Sequence, residues 1–296
     1  MSAARDKLAA ERISVIGLGL IGGSIVRGLR AAGYTGPIQA GVADAAEAKR
    51  AVELGLVDRA ETDTAKAVAG ATLVVVAVPI GAMGAVFAEL AGAIAPGAVV
   101  TDTGSTKLSV IENARAGMGP GIGHYVPGHP IAGTERSGLD AGFAQLFDGR
   151  RVILTPTPET DADALSRVEA LWSVLGARVS EMDAAHHDEV LAATSHLPHV
   201  LAFTLVDTLA RMAERTEIFE YAAGGFTDFT RIASSNPELW SDIVTANHDA
   251  ILPVLERYIG DLEAVRTAIA SGERATLAAT FGRAKDARDG LAAERG

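Results

Sequence analysis

The chain has 296 residues, 48% of them hydrophobic and 21% charged, which is enough for roughly two domains with a sizeable core. It contains 26 Lys and Arg and 37 Asp and Glu, and the resulting net charge of −11 argues against nucleic acid or an anionic membrane as a partner. It has no cysteine, which excludes disulfides and a Cys nucleophile, and its N-terminus has no apolar signal segment, so we expect a cytoplasmic protein.

Short β-branched runs alternate with helical patterns over about the first 180 residues. Strands are predicted at residues 13–16, 37–42, 73–78, 98–102, 152–155 and 177–179, and helices up to about 32, at 45–54 and at 162–175. Such alternation predicts βαβ units and a parallel sheet. The apolar stretch 73–88 is too short, and too broken by Pro79 and glycines, to span a bilayer.

Strand signals stop after about residue 182. Helical spacing of apolar residues follows at 183–212, 237–269 and 273–291. We therefore predict an α/β protein with an N-terminal Rossmann-type dinucleotide-binding domain, residues 1–182. An all-helical C-terminal domain, residues 183–296, should follow directly.

A glycine-rich turn, G-L-G-L-I-G at residues 17–22, lies between the first strand and a helix. Its glycines permit a tight turn and close approach of a pyrophosphate, which the helix N-terminus attracts. Asp44 follows the second strand, where a carboxylate binds a ribose 2′-OH and repels a 2′-phosphate, so we expect NAD rather than NADP. The predicted cofactor contacts are Gly17, Gly19, Leu20, Ile21, Gly22, Asp44, Val78 and Pro79.

Two polar segments follow later strands of the first half. Residues 129–135, H-P-I-A-G-T-E, combine an imidazole, a hydroxyl and a carboxylate with Pro and Gly, and we interpret them as a shaped loop of a site. Residues 102–107, D-T-G-S-T-K, end another strand, where Ser105 and Lys107 could face a substrate. The structural alternative for Ser105 is a helix N-cap, and both roles are compatible.

The first helix of the second half carries several polar residues. At about 100° per residue, three of them share one face: His187, Ser195 and His199. Pro198 is expected to kink this helix. His186 and His196 are predicted to point elsewhere, and a structural role remains the alternative for any single histidine.

Residues 223–231, A-G-G-F-T-D-F-T-R, form the other dense polar segment. Arg231 is a candidate clamp for a substrate carboxylate, because a guanidinium binds a carboxylate through two hydrogen bonds. The alternative is a structural salt bridge to Asp228, three residues away on a helix. Residues 235–238, S-N-P-E, should begin a new helix.

These motifs, with S-H-L-P-H at 195–199 and G-G-F-T-D-F-T-R-I-A-S-S-N-P-E-L-W at 224–240, resemble the prephenate/arogenate (cyclohexadienyl) dehydrogenase family. The resemblance covers about residues 13–247. It implies oxidative decarboxylation of a cyclohexadienol in tyrosine biosynthesis, with a hydride passing to NAD. It also implies a helical domain that forms a homodimer and an active site between the two domains.

The resemblance assigns roles residue by residue. His129 contacts the substrate hydroxyl, with Ser105 beside it, and Arg231 and His199 bind the substrate, His199 at its carboxylate end. The pocket is lined further by Ser195, Thr134 and Glu135 and flanked by Trp240 and Asp228. His187 matches a histidine near the site whose role the resemblance does not assign.

Two other readings of the sequence stay open at this point. A β-hydroxyacid dehydrogenase also joins a nucleotide domain to helices, but it uses a lysine on the helical domain, and residues 183–272 contain none. A non-catalytic NAD-binding sensor would keep the glycine turn without needing His129 or Arg231. The choice between prephenate and arogenate depends on pocket details that motifs do not contain.

Overall fold

The computed structural model describes residues 2–134, 136–212 and 215–293. It contains two compact units, Met1–His248 and Asp249–Gly296. The first unit contains the sheets, the helices that cover them and the helices up to residue 248. The second unit is a helical hairpin. The predicted domain boundary at 182/183 falls inside the first unit, between a strand that ends at Glu181 and a helix that begins at Ala184.

Six parallel strands form the main sheet, in the order β3-β2-β1-β4-β5-β6. Their bounds are Ile13–Ile16 (β1), Ile38–Gly41 (β2), Arg59–Glu61 (β3), Leu73–Val76 (β4), Val99–Asp102 (β5) and Tyr125–Val126 (β6). Strands β1, β4 and β5 are buried along their whole length, as their apolar runs predict for a sheet covered on both faces. The strand order reverses between β1 and β4, where such sheets bind ligands.

Helices pack against both faces of this sheet. They are Ser2–Ala9 (α1), Leu20–Ala31 (α2), Ala45–Glu53 (α3), Thr64–Ala67 (α4), Ile80–Leu90 (α5), Leu108–Met118 (α6) and Ala162–Val174 (α7). One apolar cluster is built around Val15, Ile25 and Trp172, and the other around Val76 and Phe87. The predicted α/β architecture is thereby confirmed.

A second, three-stranded sheet was not predicted as a separate unit. It consists of Gly128–Pro130 (β7), Arg151–Leu154 (β8) and Arg178–Glu181 (β9), with β7 antiparallel to β8 and β8 parallel to β9. His129 is paired with Ile153 in this sheet, so the prediction that its segment begins as a loop was wrong. A three-residue strand that ends in proline carries no periodic signal from which it could be recognised.

The helices of the second half begin directly after β9. They are Ala184–Leu191 (α8), a π-helical turn Ala192–His196, Leu197–Ala210 (α9), Arg215–Glu220 (α10), Gly224–Thr230 (α11), a 3₁₀ turn Arg231–Ser234, Pro237–Ala246 (α12), His248–Ala270 (α13) and Arg274–Ala293 (α14). Helix α12 begins at Pro237, as predicted, and the structure shows Asn236 as its N-cap. The predicted helix over 237–269 is interrupted at Asn247, whose side chain bonds to α8 and to the π turn.

The run Ala184–Ala210 is long and apolar enough to cross a membrane by length and composition. One such helix is weak evidence of a span, because core helices pass the same test. This run carries His187 and Asp188, which are buried and hydrogen-bonded to strand β7 and to the start of α6. These two polar residues are therefore accounted for by contacts within the protein.

Candidate active site

The turn at residues 17–22 forms a cradle between β1 and α2. Gly17 has a φ of 92°, and a Cβ there would lie 2.5 Å from the Ala77 carbonyl oxygen. A Cβ on Gly22 would lie 1.9 Å from the Gly17 carbonyl oxygen. A Cβ on Gly19 would meet nothing within 4 Å. Gly17 and Gly22 thus have no space for a side chain, whereas the space beside Gly19, at the start of α2, is open. An open space there, next to the N-terminus of the helix, fits a pyrophosphate.

Asp44 stands at the carboxyl end of β2, next to β1 in the sheet. Its Oδ1 accepts hydrogen bonds from the backbone N–H groups of Ala46 and Glu47, both at 2.8 Å, so it is also the N-cap of α3. This capping role was missed, although Asp before a helix is the usual signal for it. Strand β4 ends at Val76, two residues earlier than predicted, and Pro79 caps α5.

A row of hydrogen-bonded side chains crosses from β7 to α8. His129 Nδ1 lies 2.8 Å from His187 Nε2, and His187 Nδ1 lies 2.8 Å from Asp188 Oδ1. A carboxylate only accepts, so His187 carries its proton on Nδ1 and accepts on Nε2. His129 therefore donates through Nδ1 and keeps an unprotonated Nε2.

The pKa of His129 lies well below its ordinary value. Burial of the imidazole is the main cause, and the neighbouring His187, Lys107 and His196 add to it. His129 is 7% exposed. Its ring is therefore neutral at physiological pH and able to accept a proton.

A buried ion pair holds the backbone beside His129. Lys107 Nζ lies 2.5 Å from Asp102 Oδ2 and donates to the Gly128 carbonyl at 2.7 Å. Asp102 also accepts from Gly104 N–H, Gly128 N–H and the Tyr125 hydroxyl. The prediction that Lys107 could face a substrate was wrong, because its side chain is fully buried and connects β5 to β7.

Asp188 caps α6 from another element. Its two oxygens accept the N–H groups of Lys107 at 2.8 Å and of Leu108 at 2.9 Å. Helix α6 begins at Leu108, so the alternative that Ser105 is its N-cap was wrong. Ser105 lies partly buried in the bend between β5 and α6, one residue beyond Gly104.

The π turn brings a further histidine to the site. Pro198 has no N–H to continue the α-helical ladder, and Leu197 N–H bonds to the carbonyl of Ala192, five residues back. The extra residue in this turn changes the helical register, so the single-face prediction does not hold across it. His196 is buried and lies 3.0 Å from the Asn247 amide, contrary to the prediction that it points elsewhere.

Burial lowers the pKa of His196 to about 4. Asp188 opposes this shift, while His187 and His199 favour it. These influences show that the histidines of α8, the π turn and α9 are close neighbours of one another. Helical periodicity alone could not group them, because it assumes a regular turn.

A second group of side chains lies around α12. The ring of His199 stacks on Trp240 with 3.5 Å between centroids and 16° between planes. Its Nδ1 donates to the Ser195 carbonyl at 2.9 Å, which leaves Nε2 for a ligand. Burial lowers the pKa of His199, and the positive charge of Arg231 lowers it further. Trp240 also contacts His196, with 6.1 Å between ring centroids, so the two groups adjoin.

Four predicted site residues remain to be placed: Arg231, Thr134, Ser195 and Glu135. Arg231 follows α11 and is exposed. Thr134, in the segment after β7, is also exposed, and its Oγ1 accepts a hydrogen bond from Arg136 N–H at 3.3 Å. The hydroxyl-bearing Ser195 is partly buried. Glu135 lies outside the described residues. Within the described part of the chain, no group of His, Asp and Glu is arranged to hold a metal ion.

Known proteins resemble the chain over nearly its whole length. A family model described as the nucleotide-binding domain of prephenate dehydrogenase matches residues 25–181, and one described as its dimerization domain matches residues 183–283. Cyclohexadienyl dehydrogenase of Zymomonas mobilis is 44% identical over 282 residues, which cover 94% of this chain and 95% of that protein.

Solved structures agree with this match. Prephenate dehydrogenase from A. aeolicus, in complex with hydroxyphenyl propionate and NAD+, has a TM-score of 0.87 at 33% identity and covers 95% of this chain and 98% of its own. Synechocystis arogenate dehydrogenase has a TM-score of 0.79 at 30% identity, with 95% and 99% covered. Two family models in the expected order, together with a buried histidine beside a dinucleotide fold, establish that the chain is an oxidoreductase belonging to the prephenate dehydrogenase family.

Proposed function

We propose that the chain catalyses NAD-dependent oxidative decarboxylation of prephenate to 4-hydroxyphenylpyruvate, and accepts arogenate as a second substrate. One observation carries the proposal. His129 is a buried, neutral imidazole whose free Nε2 is set by its hydrogen bond to His187. Through His196 and Trp240 it adjoins an imidazole and a guanidinium suited to carboxylates, His199 and Arg231.

The dinucleotide would be held by the cradle at residues 17–22, with Asp44, Val78 and Pro79 beyond the ends of β2 and β4. NAD, when bound, supplies the acceptor for the hydride that leaves C4 of the ring. Asp44 presents its carboxylate where a ribose 2′-OH would be bound, and no Lys or Arg follows it before Lys49. This arrangement favours NAD over NADP.

His129 acts as the acceptor for the proton of the C4 hydroxyl. Loss of hydride and CO₂ converts the ring to a phenolate, which needs that proton back to become the phenol product. His129 therefore holds the hydroxyl proton for part of the cycle and returns it to the phenolate, so no proton is released to solvent. A buried imidazole with a lowered pKa suits this, because it is neutral at the start and gives the proton up readily. Ser105 would position the hydroxyl beside it.

The substrate carboxylates would be bound in the second half of the chain. Arg231 offers two parallel donors to one carboxylate. The negative charge of a bound carboxylate would favour a proton on His199 Nε2, which would then be a third donor. Ser195, Thr134 and Glu135 would line the rest of the pocket. Trp240 keeps the His199 ring in one orientation by stacking on it.

We also propose that residues 183–296 form the dimerisation domain of a homodimer, with residues 1–182 as the dinucleotide-binding domain. The hairpin of α13 and α14 carries large apolar side chains exposed to solvent: Leu252, Ile259, Leu262, Ile269 and Phe281. A second copy of the chain would cover such surfaces. The acidic net charge fits a cytoplasmic protein without nucleic acid or membrane partners.

The test is NADH formation, followed by absorbance at about 340 nm, with prephenate and arogenate each paired with NAD and NADP. Turnover of prephenate with NAD is the expected result. Turnover of arogenate alone would contradict the substrate assignment, and a faster reaction with NADP would contradict the role of Asp44. NAD binding with no NADH from either substrate would favour a sensor.

A further inference from the structure

The function proposed above uses His187 only to fix which nitrogen of His129 is free, and it gives Asp188 no role. His187 and Asp188 are 0% and 2% exposed, and they lie in line behind His129, away from its free Nε2. Each step of the row is 2.8 Å long. A polar side chain buried this deeply costs free energy unless it is paired, so the row is a built feature of the fold.

A positive charge on His129 itself would be poorly stabilised. Lys107 and the two histidines His187 and His196 face it, and none of them attracts a cation. The nearest carboxylate of β5, Asp102, is already paired with Lys107. Proton uptake at Nε2 therefore puts a charge where, among the described residues of the surrounding elements, no carboxylate is left to compensate it.

His187 has the partner that His129 lacks. Its Nδ1 bonds to Asp188 Oδ1, and the groups that face the pair are His129 on β7, the buried Lys107 at the start of α6, His196 in the π turn and Asn247. Three donors hold the Asp188 carboxylate in place: His187 and the backbone N–H groups of Lys107 and Leu108. A cation at His187 would thus be a buried ion pair with fixed geometry.

We propose that Asp188, His187 and His129 form a proton relay that stores the substrate hydroxyl proton during the reaction. As the hydroxyl proton binds to His129 Nε2, the proton on His129 Nδ1 passes to His187 Nε2. The positive charge then lies on His187, paired with Asp188, and His129 is neutral again. Both transfers reverse when the phenolate oxygen takes its proton, so atoms and charges balance over the cycle. His187 and Asp188 touch no substrate atom and act through His129.

A simpler role is that His187 only orients the His129 ring. The two roles differ in the variant His187→Gln. A glutamine oxygen can accept the His129 Nδ1–H and keep the ring in place, but it cannot accept the proton. His186→Gln is the matched control, because His186 precedes His187 on the same helix and is exposed.

The relay rests on the proposed function, and its tests separate the two. With prephenate and NAD, His187→Gln should lower kcat by about 10- to 100-fold, with KM and the NAD Kd within about threefold of the wild type. The acid limb of its kcat profile should move to lower pH by about one unit, since the cation is less stable. His186→Gln should leave all of these unchanged. A His187→Gln protein with wild-type kcat and acid limb would overturn the relay.

A second measurement needs no turnover. NMR of the unliganded wild-type protein with ¹⁵N-labelled histidine should find the protons of both His129 and His187 on Nδ1. A proton on His129 Nε2 would overturn the relay even if the enzyme is active. Wild-type protein that makes no NADH from either substrate would instead overturn the proposed function.

Asp188→Asn, which keeps one acceptor oxygen but no charge, should repeat the kcat loss of His187→Gln. Full activity of this variant would contradict the role of the charge.

Discussion

The buried ion pair of Lys107 and Asp102 offers a sharp test of how the His129 strand is held. In Lys107→Met the side chain keeps its length and apolar contacts but loses the ammonium. Asp102 is then left as a buried carboxylate with three neutral donors, from Gly104, Tyr125 and Gly128. The Gly128 carbonyl loses its bond from Nζ as well.

The size of the effect follows from burial. Both side chains are 0% exposed. Removing one partner of a buried pair typically costs about 3–5 kcal/mol, because the other charge remains uncompensated. At about 2–4 °C per kcal/mol for a domain of roughly this size, Tm should fall by about 6–20 °C. Adding Asp102→Asn should recover part of this loss, with a coupling of about 0.5–3 kcal/mol.

Thermal and urea unfolding followed by circular dichroism measure these changes. Lys49→Met is the matched control, because Lys49 pairs with Glu53 at 3.6 Å on an exposed helix face. Exposed pairs contribute about 0–1 kcal/mol, so Tm should hardly change. A Lys107→Met protein as stable as Lys49→Met, or strict additivity with Asp102→Asn, would refute the reasoning.

Three further predictions concern the histidines and the arginine. His129→Asn should lower kcat by about 10²–10⁴-fold while NAD still binds in a fluorescence titration, and near-normal kcat would remove His129 from its role. The acid limb of the wild-type kcat/KM profile should lie below the ordinary histidine pKa of 6.5, because protonation disables the base and burial lowers its pKa. Arg231→Ala should raise the substrate KM more than it lowers kcat, and an unchanged KM would reassign Arg231 to a salt bridge with Asp228. His196 has a pKa of about 4 in the folded protein and an ordinary value of 6.5, so as pH falls it binds its proton first in the unfolded chain. The free energy of unfolding should therefore decrease by at most about 3 kcal/mol between pH 6.5 and 4. In urea titrations His196→Gln should weaken this pH dependence, and an unchanged dependence would contradict the assignment.

Local patterns were enough wherever the chemistry depends on consecutive residues. The turn at residues 17–22 was predicted between a strand and a helix and was found there, because each glycine is required by backbone atoms close in sequence. The N-terminus of α12 at Pro237 was predicted from the same kind of local signal. The family was recognised from motifs that the comparisons then confirmed.

Predictions failed where a residue's role depends on a partner far away in the chain. Lys107 looked like a substrate contact because its bond to Gly128, 21 residues later, is invisible in the motif. The N-cap alternative for Ser105 failed because the true cap, Asp188, lies 80 residues beyond Leu108. His196 was set aside because the periodic pattern assumed an α-helical turn where Pro198 allows a π turn.

The amino-acid sequence by itself determined the α/β fold class, the dinucleotide turn and the family, since strand and helix periods and glycine spacing are properties of neighbouring residues. Only the tertiary structure decided which nitrogen of His129 is free, because that depends on His187 and Asp188 reaching β7 from a helix more than fifty residues later. Hydrogen bonds across elements fix protonation and orientation, and no spacing along one chain encodes them.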